Sequence, residues 1–210
     1  MHDWLLFDLD DTLYAGDSGL WDAISRRIYT YMHDVVSIPP DDIDRLRKGY
    51  LETYGTTLAG LMKHNQVDPF DYLDFVHDVP LEPYVQPDSE LQAMLSSLPQ
   101  QKAILTNASE DHAHRILKRL GIDSHFSSVI GVATLAFINK PHPDAFHTAL
   151  DLLGDPDPHT CMLIDDRTPN LMTANRLGMG TVLVGPYDPL PWLDAVISRV
   201  HDLPQVFVSG

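Results

Sequence analysis

Asp8 and Asp10 stand two residues apart in Phe7-Asp8-Leu9-Asp10-Asp11-Thr12, where the apolar run Trp4–Leu9 ends. Carboxylates so spaced on a chain leaving a strand can converge on one cation. A divalent metal with oxygen ligands suppresses their repulsion and keeps Asp8 ionised as a nucleophile. In a chain with 26 Asp, the pattern Asp-x-Asp-x-Thr arises by chance about 0.2 times, so its weight comes from what stands elsewhere. Ala103-Ile104-Leu105 runs into Thr106-Asn107, a hydroxyl and an adjacent backbone amide at a helix start, suited to phosphate oxygens. Lys140-Pro141 opens another helical segment and offers a point charge. Met162-Leu163-Ile164 runs into Asp165-Asp166-Arg167-Thr168-Pro169-Asn170, a second acidic pair. Taken singly, Thr106 reads as a helix-start residue, Lys140 as a solvated surface lysine and Asp165-Asp166 as loop acids. Adjacent acids straight after a buried strand are nevertheless costly without a cation. As an ordered set at strand ends, these residues point to one site that holds an anion beside a metal.

The elements that must position them follow an alternating pattern. Trp4–Leu9, Ala103–Thr106, Ser128–Val132, Cys161–Ile164 and Thr181–Val184 are short apolar runs that predict buried parallel strands. Between them, Ser109–Leu120, His142–Leu153 and Thr168–Leu177 have helical spacing, and each ends before a glycine. This alternation predicts an α/β fold, a Rossmann-like parallel sheet covered on both faces. The first strand is followed instead by an all-helical insert: Leu20–Val36, Asp41–Tyr54, Thr57–His64 and Phe70–His77, closed by Pro80, Pro83 and Pro87. The expected division is a core of residues 1–14 and 84–210 with a helical domain over 15–83. The tail offers one amphipathic helix, Trp192–Val200, read as a packing element.

Composition narrows the partners. Lys and Arg total 14 against 30 Asp and Glu, a net charge of −16, and the acids divide into 26 Asp and 4 Glu. Such a surface argues against nucleic acid and against a polybasic membrane contact, both of which need clustered cations. Most of the Asp residues read as helix caps and turn residues, at positions such as Asp41, Asp68 and Asp88. Cys161 is the one cysteine, which excludes an internal disulfide, and it reads as a small core residue. No basic region followed by an apolar stretch opens the chain, and no apolar run approaches the ~18 residues of a membrane span. A cytoplasmic protein is therefore expected. His112 and His114, two apart on a helix, do not share a face and make a poor metal pair. His142 and His147 read as helix-surface residues. Oligomeric state is not legible.

The set Asp8-x-Asp10-x-Thr12, Thr106, Lys140 and Asp165-Asp166-x-x-x-Asn170 resembles the four motifs of the haloacid dehalogenase superfamily of phosphohydrolases, and the likeness covers the whole chain. The helical insert resembles that superfamily's cap domain. Tyr54-Gly55-Thr56-Thr57-Leu58-Ala59-Gly60-Leu61, Leu105-Thr106-Asn107-Ala108 and the Asp165-Asp166 segment look like the pyrimidine 5′-nucleotidase subgroup. Arg167 and His142 depart from that subgroup's usual Ser and acidic residue. The resemblance implies a phosphomonoester hydrolase with an aspartyl-phosphate intermediate. In it Asp8 is the nucleophile, and Asp10 the general acid and base. Mg²⁺ is held by the Asp8 carboxylate, the Asp10 backbone carbonyl and Asp166, with Asp165 close by. Thr106, Asn107 and Lys140 bind the phosphoryl oxygens, and Tyr54, Thr56, Thr57 and Lys63 are the candidate specificity contacts of the cap. The implied partner is a small phosphate monoester such as a pyrimidine nucleoside 5′-monophosphate. Rival readings on the same fold are a phosphoglycolate phosphatase, a sugar-phosphate phosphatase or mutase, and a non-catalytic interaction module. A haloacid dehalogenase proper usually lacks the acid found at Asp10. A phosphonate hydrolase would need Lys48 or Lys63 to form a Schiff base.

Overall fold

A computed structural model describes residues 2–208. Its centre is a parallel sheet of β1 (Trp4–Phe7), β2 (Gln101–Leu105), β3 (Ser128–Ile130), β4 (Cys161–Asp165), β5 (Gly180–Val184) and β6 (Ala195–Ile197), in the order β3-β2-β1-β4-β5-β6. Side chains alternate across it. Leu5, Phe7, Ile104, Met162 and Ile164 face one core, and Leu6, Leu105, Ile130, Leu163 and Leu183 face the other. The first core takes α5 (Ser89–Ser97) and α6 (Glu110–Leu120), and the second takes α7 (Pro143–Leu152) and α8 (Thr168–Arg176).

The insert contains α1 (Leu20–Thr30), a π-helical turn Tyr31–Val35, α2 (Pro40–Tyr54), α3 (Thr57–Asn65) and α4 (Pro69–His77). Asp68 and Asp88 cap α4 and α5 with their side chains, while Asp41 sits in the first turn of α2, where a negative charge meets the positive helix end. Helices α2 and α3 pack closely because Gly60 has no side chain: a Cβ there would lie 2.1 Å from the Tyr50 ring. The helical unit meets the sheet domain at several points. Phe70 packs edge-on against Phe137 at 5.1 Å, and Arg115 of α6 donates to the carbonyls of His77 (2.8 Å) and Val79 (2.6 Å).

One expectation needs correction, and two helices, α5 among them, go beyond the expected set. The predicted helix Trp192–Val200 is instead strand β6, which adds to the sheet edge with Val182 beside Ala195 and Val184 beside Ile197. Trp192, Ala195, Val196 and Val200 fit a helical stripe, but β-branched Val196 and Ile197 beside an open strand edge gain a ladder there, and tertiary pairing decides. Helix α5 lies in a stretch where the prolines closing the insert masked it. A final helix, α9 (Pro204–Val208), completes the fold. No described helix is long and apolar enough to cross a membrane.

Candidate active site

The sheet order reverses between β1 and β4, and in an open parallel sheet such a reversal leaves a crevice at the carboxyl ends of the strands. Phe7 is in register with Ile164, so Asp8 and Asp165 emerge side by side, and the Asp8 amide donates to the Ile164 carbonyl at 2.9 Å. On the other side Phe7 is in register with Ile104, which brings Thr106 to the same edge.

Lys140 holds this edge together. It is 1% exposed, and its Nζ donates to Asp8 Oδ1 at 2.9 Å and to Asp165 Oδ2 at 2.7 Å. Asp165 is fully buried and also accepts from the Arg167 amide (2.8 Å) and Asn170 Nδ2 (3.0 Å). The Lys140 backbone is gripped by Asn107, whose Oδ1 accepts its N–H at 2.8 Å and whose Nδ2 donates to its carbonyl at 3.0 Å. Asn139 Nδ2 donates both to that carbonyl (2.9 Å) and to Tyr54 O of the helical unit (3.0 Å). Gly55, at φ +83°, permits this approach, since a Cβ there would stand 2.5 Å from Asn139 Nδ2.

One buried ammonium does not balance the acids around it. Burial pushes the Asp8 carboxyl well above the usual carboxylate range; Lys140 offsets part of this, and Asp165, Asp166 and Asp10 add to it. Asp166 is pushed up to about 7 by burial and by Asp165 and Asp11. Burial works to lower the Lys140 pKa, but Asp165 and Asp8 outweigh it and hold the ammonium above its usual range. Asp8, Asp165 and Asp166 each present a carboxylate oxygen, all within 4.8 Å of one another. A hard, all-oxygen donor set with surplus negative charge suits a divalent cation.

The Asp10 carboxylate is directed elsewhere. Tyr14 Oη donates to Asp10 Oδ1 at 2.5 Å, and His112 Nε2 lies 3.7 Å from the same oxygen. Burial works to raise this carboxyl, but His112 and the Tyr14 hydroxyl outweigh it and hold Asp10 below the usual range.

Asp8, Asp10, Thr106, Asn107, Lys140 and Asp166 line a cavity of about 800 Å³ whose far wall is built from α1–α4. Thr106 is buried, and its Oγ1 accepts from the Ala108 amide at 3.0 Å, closing the turn into α6. Thr56 and Thr57 line the same cavity, and Thr56 also caps α3 by accepting from the Ala59 amide at 3.1 Å. The other two residues expected on the cap side are placed apart from it. The Tyr54 hydroxyl bonds His64 Nε2 at 2.7 Å, Lys63 is exposed on α3, and neither lines the cavity.

The family model of the haloacid dehalogenase-like hydrolases matches residues 2–178. The chain belongs to this hydrolase family. The hydrolase is 30% identical over 191 residues to Phosphate metabolism protein 8 of Saccharomyces cerevisiae, a match that spans 84% of this chain and 60% of that protein. It is 32% identical over 82 residues to a phosphoglycolate phosphatase of Mesorhizobium japonicum, covering 39% of this chain and 35% of the relative. The chain therefore spans less than two thirds of the length of these curated relatives. A HAD phosphatase from Thermococcus onnurineus has the same fold at a TM-score of 0.67 with 20% identity, covering 99% of this chain and 98% of that one. It supports the hydrolase fold and no finer assignment.

Tyr14 and His77, which the sequence does not single out, stand near the Asp10 carboxylate, and so does His112, which reads in sequence only as half of a poor metal pair. His112 carried a usable signal: it lies in the first turn of the helix that follows Thr106-Asn107, and such a turn faces the strand ends. Tyr14 stands four residues beyond Asp10 in the same segment, a spacing that lets its hydroxyl turn back to the carboxylate.

Proposed function

We propose that this hydrolase is a Mg²⁺-dependent phosphomonoesterase that works through an aspartyl-phosphate on Asp8, with a pyrimidine nucleoside 5′-monophosphate as its substrate. The observation that carries the reaction type is Lys140 Nζ bridging Asp8 and Asp165 beneath a cavity where three carboxylates converge. Asp8 attacks phosphorus, so that its O–P bond forms as the ester O–P bond breaks, while Asp10 gives a proton to the leaving oxygen. Asp10 then takes a proton from the water that attacks the same phosphorus and frees Asp8. Asp10 is held as a carboxylate in the free site, and a phosphate dianion beside it works to raise its pKa and load the proton it delivers. Mg²⁺ held by Asp8, Asp166 and the Asp10 carbonyl, with Asp165 behind, would supply positive charge against the phosphoryl oxygens. Thr106, the Asn107 amide and Lys140 meet the remaining oxygens. Residues 15–83 act as the cap that excludes bulk water.

The substrate class rests on the Tyr54–Leu61 and Leu105–Ala108 resemblance and on the cavity's far wall, where Trp21, Ile24, Leu51 and Leu73 offer apolar surface beside Arg47. The test is Mg²⁺-dependent phosphate release from UMP and CMP beside AMP, phosphoglycolate and sugar phosphates, with organic products identified. A preference for UMP and CMP of about tenfold or more in kcat/KM is expected. Phosphoglycolate as the best substrate would move the reading to the activity named for the Mesorhizobium relative, and an isomerised phosphate product would make it a mutase. Full activity in excess chelator would dispose of the metal.

The charge surplus predicts a pH signature as well. A carboxyl whose folded pKa is raised above its unfolded value binds its proton more tightly when folded, so it contributes stability at low pH that is lost as pH rises through the folded value. Asp166, raised from 3.8 to about 7, and Asp8 both have this sign. His77, held down from 6.5 to about 3 by burial and by His112, has the opposite sign, but most of its effect lies below pH 6.5, where the unfolded imidazole is already half deprotonated, and the remainder is small beside the losses at Asp166 and Asp8. The metal-free protein is therefore expected to lose Tm between pH 6.5 and 8. Mg²⁺ should raise Tm more at pH 8 than at pH 6.5, since the ion competes with protons for these carboxylates. A Mg²⁺ effect on Tm that does not change with pH would contradict this assignment.

A further inference from the structure

The reaction just described uses neither His77 nor His112, yet the two imidazoles meet beside the Asp10 carboxylate. His112 is 1% exposed, its Nε2 lies 3.7 Å from Asp10 Oδ1, and neither of its ring nitrogens has a hydrogen-bond partner among the described residues. A histidine kept only for packing would bond at least one nitrogen, because a buried polar atom left unpaired costs about 1–3 kcal/mol. The exception needs a reason, and the structure sets the Asp10 carboxylate before Nε2.

The ring's orientation is imposed from the helical unit. His77, the last residue of α4, stacks on His112 with centroids 4.2 Å apart and planes 17° from parallel. His77 Nδ1 shares a 3.0 Å hydrogen bond with Ser109 Oγ, the side chain that also caps α6 by accepting the His112 amide at 3.3 Å. Arg115, one turn further along α6, ties the His77 and Val79 carbonyls to the same helix. The end of α4 is thus fastened to the helix that carries His112, and its own imidazole covers one face of the His112 ring. On the other flank of Asp10, Tyr14 donates to the same oxygen that His112 faces.

We propose that His112 is a positioning residue for Asp10, and that His77, contributed by the helical unit, holds the His112 ring in the orientation that addresses the Asp10 carboxylate. The separation of 3.7 Å is a loose form of a contact that shortens when phosphate ester fills the cavity. Docking of the helical unit and alignment of the acid–base group are then one event, since removing α4 from α6 also frees the imidazole that steers Asp10. The inference rests on the phosphatase reading above, and its test separates the two.

The experiment compares wild type, His112→Leu, His112→Gln, His77→Ala and His77→Phe on an alkyl ester (UMP) and on 4-nitrophenyl phosphate, with Tm recorded for each. Nitrophenolate departs without a proton, so Asp8 attack on the aryl ester does not need Asp10, whereas hydrolysis of the aspartyl-phosphate still does. His112→Leu is expected to lose about ten- to hundredfold in kcat on the alkyl ester with KM within about twofold. On the aryl ester it should give a burst of about one nitrophenolate per enzyme followed by slow turnover. His112→Gln, whose amide nitrogen reaches the place of Nε2, should recover part of kcat. His77→Phe keeps the stacked face and should stay closer to wild type than His77→Ala. Wild-type kcat on both esters in His112→Leu, or equal losses on both without a burst, would overturn the positioning role, as would a folded His112→Gln no better than Leu. Wild type that releases phosphate from neither ester would instead sink the phosphatase reading itself.

Discussion

Asp8→Asn is expected to yield a folded protein that releases no measurable phosphate. The substitution is nearly isosteric, and the amide oxygen can still accept from Lys140 Nζ, as Asp8 Oδ1 does at 2.9 Å. What it removes is the anionic oxygen that forms the bond to phosphorus, and loss of a nucleophile costs about four to six orders of magnitude in kcat. Stability moves in the other direction. Burial and three neighbouring acids hold the Asp8 carboxyl well above its usual range, so its charge is a burden in the metal-free fold. At pH 8 in chelator the variant should melt at or above wild type, and the Tm gain from Mg²⁺ should shrink because one carboxylate is gone. Phosphate release within about tenfold of wild type would remove Asp8 from the nucleophile's role. A collapsed Tm would show that Asp8 is needed to keep Lys140 in place.

The charged half of this site is legible before any fold is drawn. Asp8, Thr106 and Asp165-Asp166 each follow an apolar run that forms a buried strand, and a parallel sheet delivers the residues after its strands to one edge. Lys140 is different. It sits in a loop ten residues past β3, and its burial between two aspartates depends on Asn107 and Asn139 holding its backbone. Its residue type and place in the order of motifs announce it; a solvated lysine would read no differently taken alone. The neutral half is not legible in that way. His77 and His112 are 35 positions apart and meet only because α4 docks on α6, a contact no local pattern encodes. The Tyr54–Leu61 segment teaches a related lesson. Gly55 and Gly60 answer to close packing against Asn139 and Tyr50, and Thr56 to a helix cap, so part of what resembles a specificity signature is the chemistry of fitting α3 beside α2. Strand β6 departs from its helical spacing for a similar reason, because an edge pairing outweighs the spacing of a few apolar residues.

Lys140→Met should separate charge from shape at the centre of the site. The methionine fills much of the same volume, but it leaves Asp8 and Asp165 facing each other without the ammonium that bonds both, at 2.9 and 2.7 Å. Breaking a buried ion pair from one side costs about 3–5 kcal/mol, more than an exposed pair would, because the remaining charge has no water to turn to. The loss should be largest at pH 8 and smaller near pH 5, where Asp166, at about 7, has taken up its proton and relieved part of the repulsion. Mg²⁺ should restore part of the Tm at pH 8, since it neutralises the same carboxylates from the cavity side. It should not restore turnover. Losing one preorganised donor to a developing phosphoryl charge costs about two to three orders of magnitude in kcat, and the ion cannot occupy the buried position of Nζ. Lys140→Arg is not expected to rescue, because the planar guanidinium is too broad for a position that is 1% exposed and bonded on two sides. Stability recovered by Mg²⁺ together with activity would mean that Lys140 serves only to balance charge. Stability recovered without activity would assign it to the phosphoryl oxygens as well, which is the outcome the geometry supports.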